Sequence, residues 1–212
     1  MSLKDYRSFE QLPAKHEIVF IGRSNVGKST LMRQLVGADV RVGRRPGVTL
    51  RPNYYQAGDL LITDMPGYGY MKGTERAKRE RIKDLIVKYF EDNAPRIVCA
   101  VQVIDTKAFA EIADRWDGRG EIPVDVELSD FLHDLKVPVV VAANKIDKVP
   151  YAERDGALDD ICVRLHMLPP WHQWLDRLAP ISAKQGELGP LRTILRDRLR
   201  AAGLERYVNV IK

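Results

Sequence analysis

The stretch Glu17-Ile18-Val19-Phe20-Ile21 runs straight into Gly22-Arg23-Ser24-Asn25-Val26-Gly27-Lys28-Ser29, and then into Thr30-Leu31-Met32-Arg33-Gln34-Leu35. Its first part is a short apolar run of β-branched and aromatic residues, which predicts a buried strand. Its last part predicts a helix that stops near Gly37. Between them the pattern G-x-x-x-x-G-K-[ST] is complete. Glycines let the backbone wrap closely round a phosphate, and the loop N–H groups and the helix N-terminus face the anion. In that arrangement Lys28 reaches the β- and γ-phosphates, and the Ser29 hydroxyl coordinates Mg²⁺.

Outward from this loop, strands and helices alternate. The segment from Ala38 to Pro52 carries Gly43, Pro46, Gly47 and Pro52 and reads as a loop. Residues 53–57 and 60–64 flank Gly58-Asp59 and predict a β-hairpin. From Thr74 to Asn93, Ile82, Leu85, Ile86, Tyr89 and Phe90 share one helical face. Residues 96–104, ending at Asp105, and residues 137–142 are nearly continuous apolar runs, as in strands of a parallel sheet covered on both faces. A short strand over 179–182 and a closing helix over 188–202, stopped by Gly203, complete the chain. The expected fold is a three-layer α/β/α P-loop nucleotide-binding fold. Its doubly wound, mainly parallel sheet has six strands, one of them an antiparallel edge strand. One domain over 1–212 is expected, with residues 1–16 as an N-terminal extension and 204–212 as a C-terminal tail.

A phosphate loop leaves the base open. Asn144-Lys145-Ile146-Asp147 follows an apolar strand, at the rim where α/β sheets bind ligands. A carboxylate such as Asp147 accepts from both the N1–H and the 2-amino group of guanine. Adenine lacks that donor pair and would leave the carboxylate unsatisfied. Ser182-Ala183-Lys184 completes the base pocket, with the Ala183 N–H expected on the guanine carbonyl. Asp64-Met65-Pro66-Gly67 reads as the γ-phosphate sensor: Asp64 holds Mg²⁺ through water and the Gly67 N–H contacts the phosphate. Thr49, in Pro46-Gly47-Val48-Thr49, completes the Mg²⁺ shell when the third phosphate is present, and loss of that phosphate releases both loops. The expected nucleotide contacts are therefore residues 22–30, residues 47–49, residues 64–67, Asn144, Lys145, Asp147 and residues 182–184. Lys28, Thr49, Gly67 and Asn25 are the expected catalytic participants.

These motifs, with Gly67-Tyr68-Gly69-Tyr70, together resemble the EngB family of GTPases over roughly residues 17–203. The resemblance implies GTP and GDP as ligands, slow intrinsic hydrolysis, and a role in assembly of the large ribosomal subunit and in normal cell division. Bacterial members carry an Arg-His pair after the aspartate that ends the middle strand. Here Thr106-Lys107 follows Asp105, and a longer stretch through Trp116 and Gly118 to Pro123 precedes the next helix, which looks more like the archaeal branch. Many GTPases place a water-orienting glutamine after the sensor glycine. This chain has Tyr68 there, so Asn25 is a candidate to bind K⁺ beside the phosphates; the alternative is that Asn25 only stabilises the loop turn.

The chain has 212 residues, a net charge of +5, 45% hydrophobic residues and two cysteines. No apolar run approaches a membrane span, no signal-peptide core opens the chain, and no metal-ligand or disulfide spacing involves Cys99 or Cys162. A cytoplasmic, monomeric protein with no membrane or DNA partner is expected. Basic residues crowd two places, Arg41, Arg44, Arg45 and Arg51, and Lys72, Arg76, Lys78, Arg79, Arg81 and Lys83. A basic edge that responds to nucleotide suits ribosomal RNA, or a solvated helix face with interspersed acids. Trp171-His172-Gln173-Trp174 reads as a cap on the core or as a docking surface, and Arg192, Arg196, Arg198 and Arg200 read as a solvated face. The alternative to a ribosomal switch is a GTPase acting on another RNA or protein. A nucleotide kinase is argued against by the guanine motif, and a lipid-anchored GTPase by a C-terminus without cysteine.

Overall fold

The structure, a computed structural model, describes residue 9 and residues 12–36, 51–67 and 76–212. Six strands form one sheet: β1 (His16–Ile21), β2 (Asn53–Ala57), β3 (Leu60–Asp64), β4 (Ile97–Asp105), β5 (Val139–Asn144) and β6 (Leu178–Pro180). Their order is β2-β3-β1-β4-β5-β6; β2 is antiparallel to β3 and the other neighbours are parallel. The hairpin closes on Gly58 at φ 57°, where a Cβ would lie 2.8 Å from the Tyr207 hydroxyl. The expected sheet, including its antiparallel edge, is the one observed.

Period-2 alternation sorts the core onto two faces. Ile18 and Phe20 of β1 pack with α1 (Lys28–Val36) and α6 (Gly189–Ala201), through Leu31, Leu35, Leu191 and Leu195. Val19 and Ile21 face the other way, against α2 (Arg76–Asn93) and α4 (Val124–Asp134). All five apolar positions expected on one face of α2 are buried there. Beside them, α5 (Arg154–Arg164) covers β5 through Leu158 and Ile161. Each such fully buried side chain contributes about 1.5–3 kcal/mol over its exposed state.

The stretch after Asp105 departs from expectation. Residues 106–117 are a helix, α3 (Thr106–Asp117), and not an irregular connection. Asp105 caps it, accepting from the Ala108 N–H at 3.3 Å, and Phe109 and Ala113 supply a narrow buried face four residues apart. Arg164 of α5 ties its end down through Asp114 and Asp117. The β5 strand also begins two residues later than expected, after Val137-Pro138. Trp171 and Trp174 are half-buried against the α5 cluster, so they cap the core. Arg196 is not solvated: its guanidinium donates to the Ile211 carbonyl at 2.8 Å. Leu204 and Ile211 are buried, and the Lys212 N–H donates to the Leu35 carbonyl at 2.8 Å, which seats the last residues on the α1 side. No helix among the described residues is long and apolar enough to cross a membrane.

Candidate functional site

Parallel strands β1, β3, β4 and β5 all end at one rim of the sheet, and the loops that follow them meet there. The loop after β1 makes its turn with residues in unusual backbone conformations. Gly22 has φ 152°, and a Cβ there would lie 2.3 Å from the Val103 carbonyl oxygen of β4. Gly27 has φ 101°, and a Cβ would meet the Asn144 amide nitrogen at 2.4 Å. Both close approaches exclude any side chain. Asn25 is left-handed at φ 68°, a conformation that asparagine tolerates, and its side chain is exposed.

Lys28 begins α1 and is buried; its ammonium donates to the Gly22 carbonyl at 2.7 Å and to the Arg23 carbonyl at 2.9 Å. Burial lowers its pKa to about 8, opposed by the nearby Asp64 and Asp125 carboxylates and reinforced by Arg23. The Ser29 hydroxyl donates to Asp64 Oδ2 at 3.0 Å. Burial raises the Asp64 pKa, opposed by Lys28 and by hydrogen bonds from Ser29 and Asn53. The other oxygen of Asp64, Oδ1, is buried with no hydrogen-bond partner among the described residues. A hydroxyl and a carboxylate with an open buried oxygen are hard donors at the spacing a small divalent cation requires, so the residues present fit Mg²⁺. No cluster of three or more His, Cys, Asp or Glu that could hold a metal occurs among the described residues.

The sensor segment abuts the phosphate loop. A Cβ on Gly67 would lie 2.3 Å from Ser24 Oγ and 2.9 Å from Ser24 Cα. The Met65 side chain is fully buried and its N–H donates to the Phe20 carbonyl at 2.9 Å. Pro66 is buried, Thr30 half-buried in α1, and Val26 lies in the core. The expected contacts Gly47, Val48 and Thr49 lie outside the described residues, as do Tyr68, Arg41, Arg44, Arg45 and Lys72.

On the base side, Asn144 is spent within the protein. Its amide donates to the Val26 carbonyl at 2.8 Å and its Oδ1 accepts from the Ala183 N–H at 2.9 Å. The Ala183 N–H, expected on the guanine carbonyl, is thus given to Asn144. Lys145, left-handed at φ 64°, donates to the Asn25 carbonyl at 2.7 Å and to Asp105 Oδ2 at 2.5 Å. These two side chains bolt the base loop to the phosphate loop. Asp147 stands half-exposed in a short 3-10 turn, Ile146–Lys148. Ser182 is fully buried; its hydroxyl accepts from the Gln185 N–H at 3.3 Å and shapes its own turn, whereas Lys184 is exposed.

Two acidic residues outside the sequence motifs join the site. Asp105 pairs with Lys145, and Asp125, in the first turn of α4, accepts from Arg23 Nε at 2.6 Å. Asp105 was legible from its place at the end of an apolar strand. Asp125 carries no local signal, because only the packing of α4 against β4 brings it to residue 23.

The family model described as "50S ribosome-binding GTPase" matches residues 17–145. A probable GTP-binding protein EngB from Methanosarcina mazei is 57% identical over 86% of this chain and 88% of its own length. A second, from Methanopyrus kandleri, is 48% identical over 92% of this chain and 98% of its own length. The crystal structure of a probable GTP-binding protein engB has a TM-score of 0.78 at 42% identity, covering 87% of this chain and 99% of that one. Era from Aquifex aeolicus, at 24% identity and a TM-score of 0.55, shares the fold. The chain carries a strand–phosphate loop–helix unit bolted to a guanine-type base loop and is alike to these relatives over most of their length, and it belongs to the EngB family of GTP-binding GTPases.

Proposed function

We propose that the chain is a GTP-driven switch that acts on the large ribosomal subunit during its assembly, as a monomer in the cytoplasm, and that normal cell division depends on it. The observation that carries this is the match of residues 17–145 to a ribosome-binding GTPase family, together with a complete phosphate loop and guanine motif in that span. Basic residues on both sides of the sensor segment support an RNA contact at the nucleotide-responsive edge. Binding to purified large subunits, measured by co-sedimentation across a salt series, tests it. Steeply salt-dependent binding, stronger with a non-hydrolysable GTP analogue than with GDP, is expected; equal binding in both nucleotide states removes the switch, and no binding removes the ribosome.

Asp147 reads the guanine edge, Lys28 and the loop N–H groups of residues 22–29 hold the phosphates, and the Gly67 N–H senses the third. Ser29, Asp64 and Thr49 would hold Mg²⁺, which would neutralise charge on the phosphates. Asn25, whose side chain is exposed, would take K⁺ next to the phosphates in place of a water-orienting glutamine. Turnover that is faster in KCl than in NaCl at equal ionic strength supports that role; equal rates leave Asn25 as a turn residue.

A further inference from the structure

We propose that Arg23 and Asp125 are positioning residues for nucleotide binding: their ion pair keeps the Asp125 carboxylate occupied, so that the Lys28 ammonium is left for the phosphates. The proposal rests on the reading of Lys28 as the phosphate-binding lysine.

Asp125 is held from two directions. Its carboxylate Oδ2 takes Arg23 Nε at 2.6 Å, and its backbone carbonyl takes the side-chain amide of Gln102, fully buried in β4, at 2.6 Å. Only 3% of its side chain is exposed, against 18% for Arg23. The carboxylate is shut off from water and held through its own backbone, so it must be satisfied where it stands. Arg23 also supplies, through its carbonyl, one of the two oxygens that hold the Lys28 ammonium at 2.9 Å. One residue thus touches both charges.

The carboxylate has spare capacity. Its second oxygen, Oδ1, is buried and has no hydrogen-bond partner among the described residues. Asp125 acts on the Lys28 ammonium electrostatically, and a charged amine in the field of a buried carboxylate with an open oxygen is drawn to it unless another cation already neutralises it. Arg23 is that cation, and its planar guanidinium suits a buried carboxylate better than a mobile ammonium does. Without Arg23, the carboxylate and the phosphates compete for Lys28. A residue that serves only the fold would show a different pattern: each truncation would weaken the protein, and removing both partners would not restore ligand binding.

The test is the affinity for a fluorescent GDP, with melting temperature measured alongside, for the wild type, R23Q, D125N and R23Q/D125N. R23Q is expected to weaken binding about 30-fold, because it leaves a buried carboxylate uncompensated. D125N, close to isosteric and without charge, is expected to cost less than about fivefold, and the double variant to return to within about threefold of D125N. R23K, which keeps the charge, covers the case in which R23Q does not fold; it is expected to bind within about fivefold of wild type. Equal losses in R23Q and D125N that add in the double variant overturn the proposal, as does an R23K that binds no better than about 30-fold below wild type. A wild-type chain that binds no guanine nucleotide would instead overturn the reading of the site itself.

Discussion

Asp64 ends β3 and Asn144 ends β5, on opposite sides of the phosphate loop at the same sheet rim, yet they are satisfied in opposite ways. On the base side Asn144 uses both ends of its amide on the protein, Lys145 bridges a carbonyl and a carboxylate, and Ser182 holds its own turn. On the phosphate side Asp64 keeps a buried oxygen open and Lys28 is buried with its pKa lowered to about 8. The base side is held together by the protein's own groups. The phosphate side carries a cost that charge in the ligand and its cation relieves. On the proposed reading, selectivity and affinity have separate physical origins in this fold: the Asp147 carboxylate for the base, and the buried charges around Lys28 for the phosphates.

Substitutions should separate the two. Asp147→Asn turns an acceptor into a mixed donor and acceptor. GTP affinity should fall by on the order of 10⁴, and xanthosine triphosphate, whose 2-oxo group accepts where guanine donates, should bind better than GTP. Competition titrations check both; an unchanged preference for GTP would remove Asp147 from the base contact. Asn144→Ala leaves the Val26 carbonyl and the Ala183 N–H without partners, and should cost about 2–4 kcal/mol of stability in urea unfolding. That variant attacks the bolt between the two sides, so nucleotide affinity should fall with stability.

The next effect depends on pH. The folded-state pKa of Lys28, about 8, lies below its ordinary 10.5, so the unfolded chain binds the proton more tightly between those values. Stability of the nucleotide-free protein should therefore rise with pH across that window. Nucleotide affinity should move the other way, because phosphates require the charged ammonium. It should hold steady below pH 8 and fall about tenfold per unit above it. A flat affinity up to pH 10 would mean that Lys28 is not the titrating group. The smallest effect is a control at the far end of β3, where the Tyr207 hydroxyl accepts from the Asp59 N–H at 3.0 Å. Tyr207→Phe should cost about 1 kcal/mol of stability and leave nucleotide affinity unchanged.

The phosphate loop, the hairpin and the apolar face of α2 were legible in the sequence because each rests on local chemistry: glycine spacing, a two-residue turn, a 3.6-residue period. The mainly parallel sheet followed from alternation of strands and helices, and its order came only with the structure. What escaped was mostly non-local. The α3 helix carries Phe109, Ile112, Ala113 and Trp116 at helical spacing, a period present in the sequence, but its cap, Asp105, read only as the end of a strand. Asn144 sits in a guanine motif, but a motif does not say that its amide ties two loops together. Asp125 stands 102 residues from Arg23, and only packing of α4 on β4 joins them.

The separation of selectivity from affinity is tested most directly by titrating the wild type with non-hydrolysable GTP and ATP analogues, each with and without Mg²⁺. Removing Mg²⁺ should weaken GTP analogue binding strongly while leaving the preference over the ATP analogue near its full value, on the order of 10⁴. A preference that collapses when Mg²⁺ is removed, or an ATP analogue that binds as well as the GTP analogue, would contradict a base side that is assembled on its own.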